Sequence, residues 1–135
     1  MTAAFQADVA GLAGFCARAG LVHKVNRALG VVAVFHRVLD RDAPIFVGAA
    51  GWQLAFEIRL PFYVPAGRRP AVAERLAGLP RGARGAWELR AGTVVYRTAL
   101  PATTGVTDEA ATAALDDVRA HAAAAAKELE ALARA

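Results

Sequence analysis

Two stretches of this 135-residue chain alternate apolar and polar side chains with the period of a β-strand. In residues 52–64, WQLAFEIRLPFYV, one face is Trp52, Leu54, Phe56, Ile58, Leu60 and Phe62. The other is Gln53, Ala55, Glu57, Arg59 and Tyr63, and Pro61 marks a bulge or an edge position late in the strand. Residues 87–101, WELRAGTVVYRTALP, read as a hairpin whose two-residue turn is Ala91-Gly92, because glycine tolerates the positive φ that tight hairpins need. That turn sets Trp87 opposite Tyr96 and puts Trp87, Leu89, Val94, Tyr96, Thr98 and Leu100 on the core face. Glu88, Arg90, Thr93, Val95 and Arg97 fall on the solvated face.

Residues 31–39, VVAVFHRVL, have the β-branched density of another strand. Asp40-Arg41-Asp42 follows as a polar hairpin tip, a commoner use of such a triplet than a paired-carboxylate metal site, and residues 45–49 form the next strand. Residues 21–30 are polar up to Gly30 and fit either an edge strand or a loop.

The helical period appears three times. In residues 3–19, Phe5, Val9, Leu12, Phe15, Cys16 and Ala19 recur at spacings of three and four, with Thr2 as a candidate N-cap and Gly20 as the stop. Pro70 suits the first turn of a short helix over residues 70–79. Thr107, followed by Asp108 and Glu109, caps a long helix running to about residue 134. Its seam of Leu115, Val118, Ala122, Ala125, Leu129 and Leu132 is narrow and alanine-filled, so it needs either the sheet or a second subunit to cover it.

These elements predict a single α+β domain spanning 1–135 in the order α-β-β-β-α-β-β-α, with helices packed on a twisted, antiparallel, five-stranded sheet. No stretch approaches the apolar length of a spanning helix, the N-terminus lacks the basic start of a secretory signal, and one cysteine, Cys16, allows no internal disulfide. A cytoplasmic protein is the expectation. The excess of alanine, glycine and arginine over lysine fits a GC-rich bacterial genome.

The net charge of +4 is unevenly spread. Residues 59–97 hold eight arginines against Glu74 and Glu88, while residues 108–135 hold six acids against three bases. A basic middle suits an anionic partner. The candidate partner-binding residues are Arg59, Arg68, Arg69, Arg75, Arg84 and Arg97. Direct nucleic-acid binding through the basic residues 68–84 is the alternative, although no aromatic side chains interleave with those arginines as stacking platforms. The sequence Gly82-Ala83-Arg84-Gly85 has the GxxG form of KH domains, but there the loop joins two helices, whereas here a strand follows. No catalytic, cofactor-binding or metal-ligating constellation is read: His23, His36 and His121 have no partner at ligand spacing, and Glu57 and Glu88 are lone strand carboxylates.

The segments LPFYVP at 60–65 and GAWELRAGTVVYR at 85–97, set between a short and a long helix, resemble the YbjN-like family, which is similar in fold to type III secretion chaperones. The resemblance covers about residues 31–132; where family members carry an asparagine after the middle helix, this chain has Leu79-Pro80-Arg81. It implies a non-enzymatic homodimer that binds a protein client, with no cofactor and no membrane. Chaperones of this fold hold extended segments by strand addition or in grooves. An arginine-rich face suits an acidic, disordered segment. Acidic tails of that kind occur on single-stranded-DNA-binding proteins, so a DNA-metabolism or stress-response protein of that type is one expected client.

Overall fold

Asp8 begins the first helix: its carboxylate accepts the Gly11 N–H at 2.7 Å, satisfying one of the helix's orphan donors. The computed structural model describes residues 4–135, so the Thr2 cap expected from the sequence lies outside the described residues. The helix is therefore shorter than residues 3–19. Before it, Ala4–Phe5 is extended and pairs with Val106–Thr107. Phe5 still reaches the core, stacking on Phe15 with ring centroids 5.3 Å apart.

In chain order the elements are β1 (Ala4–Phe5), α1 (Val9–Arg18), β2 (His23–Asn26), β3 (Val31–Val34), β4 (Arg37–Val38), β5 (Arg41–Asp42), β6 (Ile45–Ala50), β7 (Gln53–Tyr63), α2 (Arg69–Ala77), β8 (Ala86–Arg90), β9 (Thr93–Pro101), β10 (Val106–Thr107) and α3 (Asp108–Arg134). The main sheet is antiparallel throughout and runs β2-β3-β6-β7-β9-β8. It has six strands rather than the expected five. The sixth is β2, the segment whose polar composition left strand and loop equally open. It is an edge strand with one pairing partner, so only alternate side chains, His23 and Val25, turn toward protein.

The strand expected over residues 31–39 ends at Val34. The chain then turns back through a separate hairpin, β4–β5, whose two turn residues Leu39 and Asp40 both have positive φ (56° and 57°). That pattern gives the right-handed twist a two-residue hairpin needs. The turn therefore lies one residue earlier than the Asp40-Arg41-Asp42 triplet suggested.

The β8–β9 hairpin has the register read from the sequence, Trp87 opposite Tyr96 and Arg90 opposite Thr93, with Gly92 at φ 90°. In β7 the pairing with β9 shifts between Arg59 and Tyr63, the irregularity foreshadowed by Pro61. Leu54, Phe56, Ile58 and Leu60 are buried, whereas Trp52 is 63% exposed. Trp52 stands in the β6–β7 turn beside Gly51 (φ 64°), where the alternation of the strand no longer orients it.

All three helices share one core with one face of the sheet. Leu12, Phe15 and Cys16 of α1, Val72 and Leu76 of α2, and the α3 seam meet the inward residues of β3, β6, β7 and β9. Leu115, Val118, Ala122, Ala125 and Leu129 are buried and Leu132 is half-buried against the core, so the chain's own sheet covers the seam. Thr107 caps α3 by accepting the Ala110 N–H at 3.1 Å, and Asp108 takes a two-pronged ion pair from Arg18, both contacts 2.9 Å. That pairing holds the Asp108 carboxyl below its ordinary range.

Tyr96 anchors the loop after α2. Its hydroxyl donates to Asp117 Oδ2 at 2.8 Å and accepts the Gly82 N–H at 2.9 Å, and its ring stacks on His121 at 5.0 Å. Gly82 and Gly85 lie so close to Asp117 and the Tyr96 hydroxyl that a β-carbon at either would collide with them. The GxxG spacing thus records a tight loop over a tyrosine. Among the described residues no helix is long and apolar enough to cross a membrane.

Candidate functional site on the open face of the sheet

A strand presents alternate side chains to opposite faces, so the residues that do not face the helices form a second surface. The strand register arranges them in two rows running across the strands. One row is Asn26, Val31, Gly48, Ala55 and Ala99, small or apolar from β3 to β9. The next is Lys24, Ala33, Phe46, Glu57, Arg97 and Ala86. Except for Ala99 and Ala86, which line a neighbouring hollow, they floor an open groove of about 660 Å³, with Leu29 at one end and Lys24, Arg27, Arg59 and Arg97 around it. Leu29 is 73% exposed. The β2–β3 and β6–β7 turns lie at the same end of the sheet, which sets Leu29 and Trp52 at that end.

The electrostatics of this face are lopsided. Four cations surround the groove and one carboxylate, Glu57, lies within it. Glu57 is held by Arg90 at 2.8 Å and Arg59 at 3.3 Å, and Arg90 also pairs with Glu88. The Arg59 guanidinium lies 5.2 Å from the centroid of the Phe46 ring. Val95, expected among the solvated residues, is only 1% exposed. It stands between Arg59 and Glu88 in the register, and the long stems of that ion cluster cover it. Among the described residues, Lys24, Arg27, Arg84 and Arg97 make no ion pair.

The six arginines singled out from the sequence fall into two groups. Arg59 and Arg97 belong to the groove, and Arg84 joins Arg97 at a neighbouring hollow with Gln53 and Thr98. Arg68, Arg69 and Arg75 are elsewhere and are used internally. Arg68 donates to the Leu132 carbonyl at 2.9 Å, at the end of α3. Arg69 donates to the Val64 carbonyl at 3.2 Å and to the Tyr63 hydroxyl at 2.5 Å. Arg75 is paired with Glu128, whose carboxyl it holds below the ordinary range. The seam residues of α3 face the core and are not a free surface.

Sequence reasoning missed Lys24, Arg27, Leu29 and Phe46, and it missed the small-residue row. Each of Val31, Gly48, Ala55 and Ala99 is unremarkable in its own strand. They form a surface only once the register is known. Comparison with protein-family models and with curated proteins found no match.

Proposed function

We propose that this protein is a non-enzymatic, homodimeric adaptor or chaperone-like regulator of the YbjN-like kind that holds a segment of another protein on the open face of its sheet. The observation that carries this reading is the uncovered, small-residue groove ringed by four cations. An antiparallel sheet with one bare face is ordinary when that face is polar. Here its centre is apolar, and apolar surface rimmed by charge is characteristic of an interaction site. The client is an acidic, disordered segment of the sort expected on a single-stranded-DNA-binding protein or a related DNA-metabolism or stress-response protein.

The groove's stacking capacity favours a protein client over a nucleic acid. Its one aromatic ring, Phe46, already has Arg59 over it. The basic residues 68–84 do not make a rival surface, because Arg68, Arg69 and Arg75 are engaged within the fold. A homodimer uses another surface, since pairing two open faces would oppose cations to cations.

A tagged pull-down from cell lysate, with and without nuclease, tests the reading. A stoichiometric protein that survives nuclease and is lost from the Arg59→Glu, Arg97→Glu double variant is expected. Retention that vanishes with nuclease would transfer the function to nucleic acid. Light scattering at micromolar concentration is expected to give a dimer, and a monomer would remove that part of the proposal.

A further inference from the structure

The geometry points to a specific ligand for this groove: an extended acidic peptide that crosses the strands, with one bulky apolar side chain at its centre and carboxylates about six residues apart on either side. This deepens the reading of the open face as a partner site and rests on it.

The spacing follows from the sheet. Lys24 lies on β2 and Arg97 on β9, with β3, β6 and β7 between them. Four strand spacings of about 4.8 Å separate the two cations by about 19 Å, the length of about six extended residues at about 3.3 Å each. The midpoint falls on β6, where Phe46 stands in the Lys24–Arg97 row; in the adjacent row, two residues along the strands, Gly48 of β6 and Ala55 of β7 are register partners. No side chain longer than a methyl group rises from the floor there. A β-carbon on Gly48 would come within 2.8 Å of the Val31 side chain, so the glycine also lets Val31 close the side of the hollow. Phe46 and Leu29 supply the remaining apolar walls.

Each end of the groove offers a pair of cations, Lys24 with Arg27 and Arg59 with Arg97. A second copy of this chain is disfavoured as the occupant of this face, because it would bring the same cations. Strand addition at the edge beside the groove is also disfavoured: β2 is four residues long and carries Lys24, which protects an edge against pairing. The occupant is thus a segment lying on the face, recognised by an apolar anchor and by carboxylates at two separated points.

The test is fluorescence anisotropy on the full chain with synthetic labelled peptides. The reference peptide carries a central phenylalanine and acids about six positions apart. Replacing that phenylalanine by serine is expected to weaken binding about tenfold or more, since the anchor's burial is lost. Moving the acids to about three positions apart is expected to weaken it about fivefold, as is Lys24→Glu or Arg97→Glu. Ala55→Leu fills the hollow and should match the loss of the anchor. Glu57→Gln removes the one carboxylate in the groove and should tighten binding about threefold, a gain that misfolding cannot produce.

Equal binding of the reference and control peptides, no binding of the reference peptide, or no response to Ala55→Leu and Glu57→Gln overturns the inference. So does displacement by a single-stranded oligonucleotide that binds more tightly than the peptide. A nuclease-resistant client retained equally by the Ala55→Leu variant overturns the groove assignment and leaves the adaptor reading standing. A lysate from which the parent chain retains no protein overturns the adaptor reading itself.

Discussion

The two faces of one sheet are built from different amino acids. The helix-facing side carries Val32, Val34, Ile45, Val47, Leu54, Phe56, Ile58 and Tyr96, all buried. The opposite side, on the same strands, carries Val31, Ala33, Gly48, Ala55 and Ala99 between charged residues. The inner face draws its energy from apolar area and close packing, at roughly 25 cal/mol per Å² removed from water. The outer face has no covering layer, so large apolar side chains there would stay wet. Small side chains reduce that exposure and leave space. The difference teaches that burial on the inner face sets stability, while the outer face is free to be shaped for something else.

The largest effect expected from this contrast is on denaturant unfolding. Phe56→Ala, on the inner face of β7, should cost about 3–5 kcal/mol, because it leaves a cavity in a packed core. Phe46→Ala, on the outer face of the neighbouring β6, should cost about 1 kcal/mol or less. Equal losses in urea titrations would erase the distinction between the faces.

Next in size is the tyrosine that ties the inner face to the loop. Burial, above all, pushes the Tyr96 hydroxyl up to about 12. The folded value exceeds the unfolded value of about 10, so this contribution is fully present below about pH 10 and is lost as pH rises toward 12. Two units correspond to about 2–3 kcal/mol. Tyr96→Phe should abolish that alkaline loss and should cost about 1–3 kcal/mol at neutral pH, since the Gly82 N–H and Asp117 lose their shared partner. Unfolding midpoints measured across alkaline pH check both statements.

A smaller, opposite pH response should come from His36, in the link between β3 and β4. Its Nδ1 is buried with no hydrogen-bond partner among the described residues, and burial, reinforced by Arg119, lowers its pKa. The unfolded chain then binds the extra proton more readily. Stability should therefore be full above the unfolded value of about 6.5 and decline as pH falls below it. His36→Gln should flatten this slope below about pH 6.5.

The smallest stability effect should be that of Glu57→Gln on the outer face, within about 1 kcal/mol, because its ion pairs with Arg59 and Arg90 lie at the surface. The same variant should bind an acidic peptide more tightly. A large loss of stability with no change in binding would mean that the outer ion cluster is structural and would blur the contrast between the faces.

The local elements were legible because local rules set them. Gly92 made the hairpin and its register readable, Thr107 the start of α3, Gly20 the end of α1, and Pro61 the break in β7. The α1 start was misread, because Phe5 has the right period for a helix yet belongs to a two-residue strand fixed by Val106, about a hundred residues away. β2 was left open because an edge strand buries too little to reveal its period.

The sequence by itself marked most of the residues that go inside, through alternation and helical spacing, since burial repeats with the geometry of each element; Trp52, in a turn, and Val95, under an ion cluster, escaped that rule. It also showed that this is an α+β chain with an excess of arginine in its middle. Only the tertiary structure decided which arginines are free. Arg68, Arg69 and Arg75 find carbonyls, a hydroxyl and a carboxylate across the fold, while Arg97 comes level with Lys24 through the pairing of five strands. Charge is a property of a residue. A charged groove is a property of strand order and register, which long-range pairing fixes and no local pattern encodes.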